Sequence, residues 1–225
     1  MKRVVIAAAM FAVLSLFVLP AVADFFQVRT ALDETGIDQP TLARLIGTGE
    51  LLMVRENSAG KLQLVTGGIL INRPAATVWK TVTDYNNYAK FMPSTAECQI
   101  VNDNGNQKDV RYKIKFKFVI FSFTVNYVLR TYFRPMEEIT WNLLSCEDNK
   151  IRTTYGSWRF IPINGGTQTA AFYSVYSDIT GVVPGLGSLI RKDPTMETAI
   201  NASTVLLVLK AVRNRSENPA WVQPQ

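Results

Sequence analysis

The stretch NRPAATVWKTVTDYNNYAKFMP, from Asn72 to Pro93, decides how this chain folds. Pro74 suits the first turn of a helix, because proline lacks an N–H that would be unpaired there anyway. From Val78 onward, apolar and aromatic residues recur close to the helical period, which predicts an amphipathic helix packed on a core. Tyr85 and Tyr88 fit plain packing less well, because a buried tyrosine hydroxyl needs a hydrogen-bond partner.

After Pro93 the apolar period changes from that of a helix to that of a strand. From Val110 to Phe118, apolar residues alternate with basic ones, which predicts a strand with one apolar face and one basic face. Other alternating segments follow, then a Gly- and Pro-rich loop over 181–194 and a long helix over 195–215. Strands, a helix, further strands and a closing helix favour an α+β fold with helices on one side of an antiparallel sheet.

The first residues have the pattern of a secretory signal. Lys2 and Arg3 precede an uncharged, mostly apolar run, and Ala21-Val22-Ala23 provides a small-x-small cleavage site. An uncleaved anchor is the alternative, because the apolar run is just long enough to span a bilayer core of roughly 30 Å. The short signal is typical of bacteria. We therefore expect a periplasmic or secreted protein, with attachment to the inner membrane as the alternative.

Composition excludes several kinds of chemistry. The chain contains no histidine and two cysteines, Cys98 and Cys146, without a CxxC pair, so we expect no metal site. Loss of Lys2 and Arg3 would lower the formal charge from +6 to +4, which is too weak to indicate nucleic-acid binding. A mildly basic protein can still be attracted to an anionic lipid surface.

Two blocks of this sequence resemble the START-like superfamily, which includes polyketide cyclases and Bet v 1-like proteins. The first block is Asn72-Arg-Pro-Ala-Ala-Thr-Val-Trp79 with Thr83-Asp-Tyr85 and Phe91-Met-Pro93. The second is Tyr173-Ser-Val-Tyr-Ser-Asp178 with Gly181-Val-Val-Pro184 and the final helix. The likeness covers roughly 50–215 and is strongest to the coenzyme Q-binding and lipid-transport members, in a secreted form.

The resemblance implies a helix-grip fold, in which a curved antiparallel sheet of about six to seven strands wraps a long C-terminal helix. Together with the signal pattern and the local helix and tail signals, it divides the chain into a signal peptide (1–23), an N-terminal helical extension (24–49), the START-like domain (50–215) and a flexible tail (216–225). It also implies a cavity between sheet and helix for an apolar, lipid-like ligand such as a quinone, a sterol or hopanoid, a fatty acid or a phospholipid. No cofactor is expected.

The expected ligand contacts come from the helical stretch and from the apolar strand faces. In the family, the segment 85–93 borders the cavity entrance, and large aromatic and Met side chains can cover an apolar ligand without polar demands. Ordinary packing of the helix on the sheet is the alternative. The expected contact residues are Tyr85, Tyr88, Phe91, Met92, Tyr112, Ile114, Phe116, Tyr127, Trp141 and Trp158.

A carrier is favoured over an enzyme, because the chain lacks the commonest catalytic acid–base residue. The alternative is a polyketide cyclase- or dehydratase-like enzyme, for which Asp84, Glu97, Asp178 or a tyrosine would have to act. We expect Asp84 to hold the turn after the helix, and the pairs Glu137-Glu138 and Glu147-Asp148 to be solvated. An interaction module with a closed cavity is a third possibility.

The basic face of the strand at Val110 suggests a membrane contact. Arg111, Lys113, Lys115 and Lys117 would form a row roughly 20 Å long, because residues two apart on a strand lie about 6.7 Å apart. The row leads to an apolar tip, Val119-Ile120-Phe121, where a turn would normally be polar. Docking on an anionic membrane and a plainly solvated sheet face are both consistent with this pattern.

The resemblance also bears on the cysteines. The family's strand order separates the strands of Cys98 and Cys146 by three positions, on the order of 14 Å, which is too far for a disulfide. The two thiols are therefore expected to be free. The loop, rich in Gly and Pro, is expected to act as a mobile gate between the last strand and the closing helix.

Overall fold

A computed structural model describes residues 36–118, 121–182 and 185–221. The signal peptide, Val119, Ile120 and Pro184 lie outside the described residues, as do the side chains of Lys117 and Phe121. The helices are α1 (Gln39–Gly47), α2 (Ala75–Thr83), α3 (Tyr88–Phe91), α4 (Leu186–Lys192) and α5 (Thr195–Glu217). The strands are β1 (Leu51–Glu56), β2 (Leu62–Ile71), β3 (Thr95–Asp103), β4 (Gln107–Phe118), β5 (Phe121–Arg134), β6 (Glu138–Cys146), β7 (Thr154–Ile163) and β8 (Gln168–Ser177).

The eight strands form one antiparallel sheet in the order β1-β2-β8-β7-β6-β5-β4-β3. The α+β helix-grip architecture is thus as expected, with one strand more than the expected six to seven. Consecutive strands β3 to β8 pair with their neighbours in the chain, so most of the sheet is a simple meander. The first two strands then pair onto β8, which leaves β1 and β3 at the edges.

Helix α5 packs on one face of the sheet, which we call the inner face. Its Val205, Leu209 and Val212 are fully buried. A Cβ added to Gly67 of β2 would lie only 2.4 Å from Val205 Cγ1 and 2.6 Å from Leu209 Cδ1, so the helix lies directly on that strand. By length and composition α5 would also qualify as a membrane span, but a core helix passes the same test.

The N-terminal helix α1 covers the opposite, outer face. Asp38 caps it by accepting a 2.7 Å hydrogen bond from the Thr41 N–H. Leu42 and Ile46 are buried against Ala170 and Phe172 of β8, forming a small second core. The described part of the extension therefore adds a layer behind the sheet at the β1–β2–β8 end.

Two expected elements differ from the sequence interpretation. The helix at Asn72–Pro93 is interrupted: α2 ends at Thr83, Asp84 has ψ 56°, and a 3-10 turn at Tyr85–Asn87 precedes the short α3. The segment 181–194 is not only loop, because α4 occupies Leu186–Lys192 and buries Ile190. The apolar period alone did not reveal the break at Asp84, because Tyr85 and Tyr88 stay on the buried side after it.

The cysteines are placed as the family's strand order implied. Cys98 lies on β3 and Cys146 on β6, three positions apart in the sheet, and both thiols are free.

Candidate functional site

Strand register places the expected ligand residues on the inner face. Tyr112 pairs with Tyr127, Ile114 with Val125 and Phe116 with Phe123, so alternate residues of β4 and β5 share one face. Trp141 of β6 lies opposite Gly156 of β7, and an added Cβ there would lie 2.3 Å from the Trp141 ring. Glycine at position 156 therefore makes room for the indole.

The aromatic residues of α3 and of the preceding turn contact those of β4 and β5. Ring centroids are separated by 5.1 Å for Tyr85 and Tyr88, by 5.4 Å for Tyr88 and Phe91, and by 6.3 Å for Tyr88 and Tyr112. Tyr112 in turn stacks on Tyr127 at 5.3 Å. These five rings, which we call the aromatic wall, form one continuous apolar surface, and the buried Met92 belongs to the same core.

A second aromatic group lies on the central strands. Tyr173 of β8 contacts Trp158 at 4.6 Å and Trp141 at 5.5 Å. Sequence analysis named both tryptophans but not Tyr173 as a site residue. Its position between Ala171 and Val175, two residues away on either side, was the available signal, because those small and apolar residues share its face.

Phe116 and Ile114 are separated from these groups. Phe116 packs with Phe123 and the buried Val125 beneath Ile151 and Val182, which come from the loops that follow β6 and β8. Ile114 is half-buried beside them on the same strand face. The expected residues therefore share the inner face, but they do not all meet in one cluster.

The polar atoms of the site are uncharged. Burial raises the pKa of the hydroxyls of Tyr85, Tyr88, Tyr112, Tyr127 and Tyr173 above that of an ordinary tyrosine. Burial likewise raises the pKa of the Cys98 thiol to about 12. Tyr88 donates its hydroxyl proton to the Val82 carbonyl. At neutral pH the inner face thus offers apolar surface and neutral donors, which suits an apolar ligand.

Several of these rings keep accessible surface although they lie deep in the molecule. Tyr112, Tyr127 and Tyr173 are half-buried, and desolvation is nevertheless the chief cause of their raised pKa values. Phe91, Leu143 and Val208 are also only partly buried while packing against the core. These rings are therefore desolvated by the surrounding protein although part of their surface remains accessible.

Two pockets outlined by described residues lie away from α5. One, of about 410 Å³, opens between the C-terminal end of α2 and strand β3, and Trp79 and Tyr85 are among its lining residues. Trp79 contacts Phe133 and Phe160 of the inner face, at 6.1 and 5.9 Å. The other, of about 230 Å³, lies on the outer face beside Arg111 and Asn126. Beside α5, the described part of the inner face carries the packed rings of the aromatic wall.

The acidic residues considered for catalysis have other contacts. Asp84 is buried, and its Oδ1 accepts a 2.8 Å hydrogen bond from Asn87, so it holds the turn after α2. Glu97 is exposed and paired with Lys113, and Asp178 accepts from the Thr180 N–H at 3.0 Å. Glu138 is buried beside Arg134 and Arg159, so its expected solvation was wrong. Its position opposite Arg159 across the sheet explains the difference.

The basic row lies on the outer face of β4. Arg111 and Lys115 are exposed, whereas the Lys113 ammonium lies 2.6 Å from Glu97 Oε1. The apolar tip that would follow this row falls outside the described residues, apart from the backbone of Phe121. The basic face that the alternation predicted is present on β4. One of its charges, on Lys113, is neutralised by Glu97 of β3.

Comparison with known proteins agrees with this architecture. Residues 71–202 match the family model described as polyketide cyclase/dehydrase and lipid transport, and the chain therefore belongs to that family. A search of curated proteins finds no significant match.

Among solved structures, the chain is similar to a STAR-related lipid transfer protein from Xanthomonas axonopodis, with TM-score 0.57, 17% identity and coverage of 76% of this chain and 94% of that one. It is also similar to the Zhui aromatase/cyclase from Streptomyces sp. R1128, with TM-score 0.52, 18% identity and coverage of 71% and 99%. A START superfamily protein from Mycobacterium smegmatis matches with TM-score 0.53, 17% identity and coverage of 68% and 97%. At these identities the likeness shows the shared fold.

Proposed function

We propose that this protein binds an apolar, lipid-like molecule between the sheet and α5, and that it acts as a carrier outside the cytoplasm. The observation that carries this proposal is the aromatic wall, because it joins a continuous apolar surface to partly accessible rings at the centre of the fold. Its hydroxyls are neutral, so the wall presents no charged group that an apolar ligand would have to cover. Quinones, sterols or hopanoids, fatty acids and phospholipids all have this character.

Entry is proposed at the pocket between α2 and β3. Its volume of about 410 Å³ lies within the roughly 300–1,000 Å³ typical of small-molecule sites. Tyr85 lines this pocket and also contacts Tyr88 and Phe133 on the inner face. A rotation of the short segment Tyr85–Phe91 would connect the pocket with the space beside the aromatic wall. Because the rings are packed together, ligand entry must displace some of them.

The compartment and the membrane contact are part of the same proposal. The N-terminal signal pattern supports export, and the exposed Arg111 and Lys115 support attraction to an anionic lipid surface. Each basic residue near such a surface contributes about 1 kcal/mol. A carrier that extracts a lipid needs this contact, because the ligand leaves the bilayer directly into the protein.

Mass spectrometry of the native protein, purified from its host without detergent, tests the proposal. We expect a stoichiometric apolar ligand in the parent and in Ala199→Trp, because Ala199 is exposed on α5. Ala202→Trp should lose it, because Ala202 packs beside the core on the same helix and a larger side chain fills the space. A parent protein without ligand, which also fails to bind any added lipid, would contradict the carrier function.

A cyclase- or dehydratase-like activity is the second candidate, and one contact favours it. Tyr176 donates a 3.1 Å hydrogen bond to Glu197 at the start of α5, and burial raises the pKa of the Glu197 carboxyl. A half-buried acid next to a tyrosine can serve as a proton donor. Under this alternative, Glu197→Gln abolishes turnover of a polyketide-like substrate while leaving its binding intact.

A further inference from the structure

Arg215 is half-buried at the edge of the face of α5 that packs on the core. Asn201, Val205, Val208, Val212 and Arg215 follow one another at intervals of three or four, so they share one face of the helix. Val205 and Val212 are fully buried and Val208 packs against the main core. The fully buried row of α5 itself ends at Ser216, and the Arg215 guanidinium lies beside the end of that row.

Two aromatic rings hold this guanidinium. Its central carbon lies 5.3 Å from the centre of the Phe91 ring and 5.0 Å from that of Trp221. A planar guanidinium stacked in this way keeps its N–H edges available for a carboxylate or a phosphate. The rings restrict its motion, so less freedom is lost when an anion binds.

Among the described residues, Arg215 has no anionic partner. Its Nε is buried without a hydrogen-bond partner, which costs free energy as long as no acceptor is present. The carboxylate two residues further on is already used, because Glu217 Oε1 accepts a 2.7 Å hydrogen bond from the Asn72 N–H. By contrast, Arg213 on the same helix has Glu50 at 3.4 Å.

The position of Arg215 connects it with the proposed ligand site. Phe91 contacts both the guanidinium and the Tyr88 ring, and Tyr88 contacts Tyr112 on the inner face. A molecule with its head at Arg215 would therefore extend its apolar part along the aromatic wall. The neutral hydroxyls along that wall supply no comparable charge for an anionic head.

We propose that Arg215 binds the anionic head, a carboxylate or a phosphate, of a long-chain ligand whose apolar part lies on the aromatic wall. This inference rests on the proposed function and narrows it to anionic amphiphiles. Neutral quinones and sterols bind at most weakly under this assignment. Arg215 selects the ligand by charge, while the wall contributes most of the buried apolar surface.

Displacement of the neutral fluorescent probe N-phenylnaphthylamine tests this with matched ligands. Oleate and oleyl alcohol share one chain and differ in the head, and oleyl phosphate separates phosphate from carboxylate recognition. We expect the parent to bind at least one of the anionic ligands about tenfold or more tightly than the alcohol, as for a charge-assisted bidentate contact. Arg215→Gln should abolish that preference and leave the affinity for the alcohol within about twofold.

Controls separate charge recognition from a structural role. Arg213→Gln should bind all three ligands like the parent, and Arg215→Lys should retain part of the preference, because it keeps the charge but loses the fork. An equal loss for alcohol and oleate in Arg215→Gln would make Arg215 a packing residue and overturn the proposal. The proposal would also be overturned if the parent protein bound the alcohol as tightly as both anions. This second test needs only the parent protein, so it holds even if a variant fails to fold. A parent that binds none of the three contradicts the proposed function itself.

Discussion

At the scale of single residues, Gly67 shows how closely α5 and the sheet approach each other. An added Cβ would overlap Val205 and Leu209, and both side chains are fully buried. The strand pattern provided no reason to expect this close approach, because a glycine in a strand can also mark a bulge or an edge. Glycine is required at position 67 by the contact between β2 and α5, which are far apart in the sequence.

We predict that Gly67→Ala lowers the free energy of unfolding by about 1–3 kcal/mol, the usual cost of overpacking a core. Gly47→Ala is the matched control, because nothing lies within 4 Å of an added Cβ there. As the last residue of α1, position 47 should be neutral or slightly stabilised by alanine. Urea denaturation of the two variants measures the difference. Equal midpoints would mean that α5 does not press on β2.

The Cys98 thiol gives a prediction about pH. Its pKa rises from 9.0 to about 12 on burial, so above pH 9 the unfolded chain releases a proton that the folded protein keeps. The free energy of unfolding should therefore fall as pH increases beyond about 9, by at most about 1.4 kcal/mol per pH unit for this group. Below that pH its contribution is fully present. Cys98→Ala should reduce this dependence of the free energy of unfolding on pH, in the range just above pH 9 where the buried tyrosines do not yet contribute.

Thiol titration provides the accompanying measurement. In the folded protein the half-buried Cys146 should react with a thiol reagent well before Cys98, because the thiolate is the reactive form and Cys98 is buried. After unfolding without reductant, both thiols should react. Finding neither reactive would mean that the two cysteines are bridged and that β3 and β6 are misplaced.

At the scale of elements, alternation in the sequence correctly predicted strand β4 and its basic face. It did not predict that one lysine of that face would be paired with an acidic residue of the neighbouring strand. Glu97 of β3 neutralises Lys113, so Arg111 and Lys115 are the exposed positive charges of the row among the described side chains. Such cross-strand pairs depend on register, which a single strand does not reveal. The same reasoning applies to Glu138, whose partner Arg159 is on another strand.

We predict that Arg111→Glu/Lys115→Glu weakens co-sedimentation with anionic liposomes, and most strongly at low salt, because charge attraction is screened beyond about 8 Å at physiological salt. Ile120→Ser/Phe121→Ser should weaken it at every salt concentration, since an apolar tip acts without charge. Lys61→Glu, an exposed lysine in the turn between β1 and β2, is the control and should bind like the parent. If all variants sediment equally, the basic row is a solvated sheet face.

The segment 181–194 has a prediction of its own. Val182 and Ile190 are buried, and an added Cβ at Gly181 would lie 2.8 Å from the Lys150 carbonyl, so the start of the segment is packed against the loop after β6. Helix α4 has only seven residues and one buried side chain. We expect amide exchange in 185–194 to be faster than in β7 and β8, and to slow when a ligand binds. Exchange as slow as in those strands would exclude a gate.

At the scale of the whole molecule, the fold class followed from the sequence because the long strands and α5 carry clear periodic signals and the resemblance to the family implies their order, whereas α4 and the break at Asp84 carry no such signal. The site followed only in part. Parity along β4 and β5 was enough to place Tyr112 and Tyr127 on one face of the sheet, while their contact with a ligand stays a prediction. Their mutual packing, the role of Tyr173 as a bridge and the place of Arg215 could not be predicted, since each depends on contacts between segments far apart in the chain.

The closed packing of these rings leads to a prediction about ligand binding. Trp158 and Trp141 are almost fully buried and both contact Tyr173, so a ligand that enters beside α5 must change their surroundings. We therefore expect an apolar ligand to change the tryptophan fluorescence of the protein. Trp141→Phe/Trp158→Phe should lose most of that change. Trp221→Phe removes the ring beside the Arg215 guanidinium, so it should lose only the smaller part that comes from the head of the ligand. If the signal instead survives in the double variant and disappears in Trp221→Phe, the ligand lies outside the sheet–helix interior, at the C-terminal end of α5.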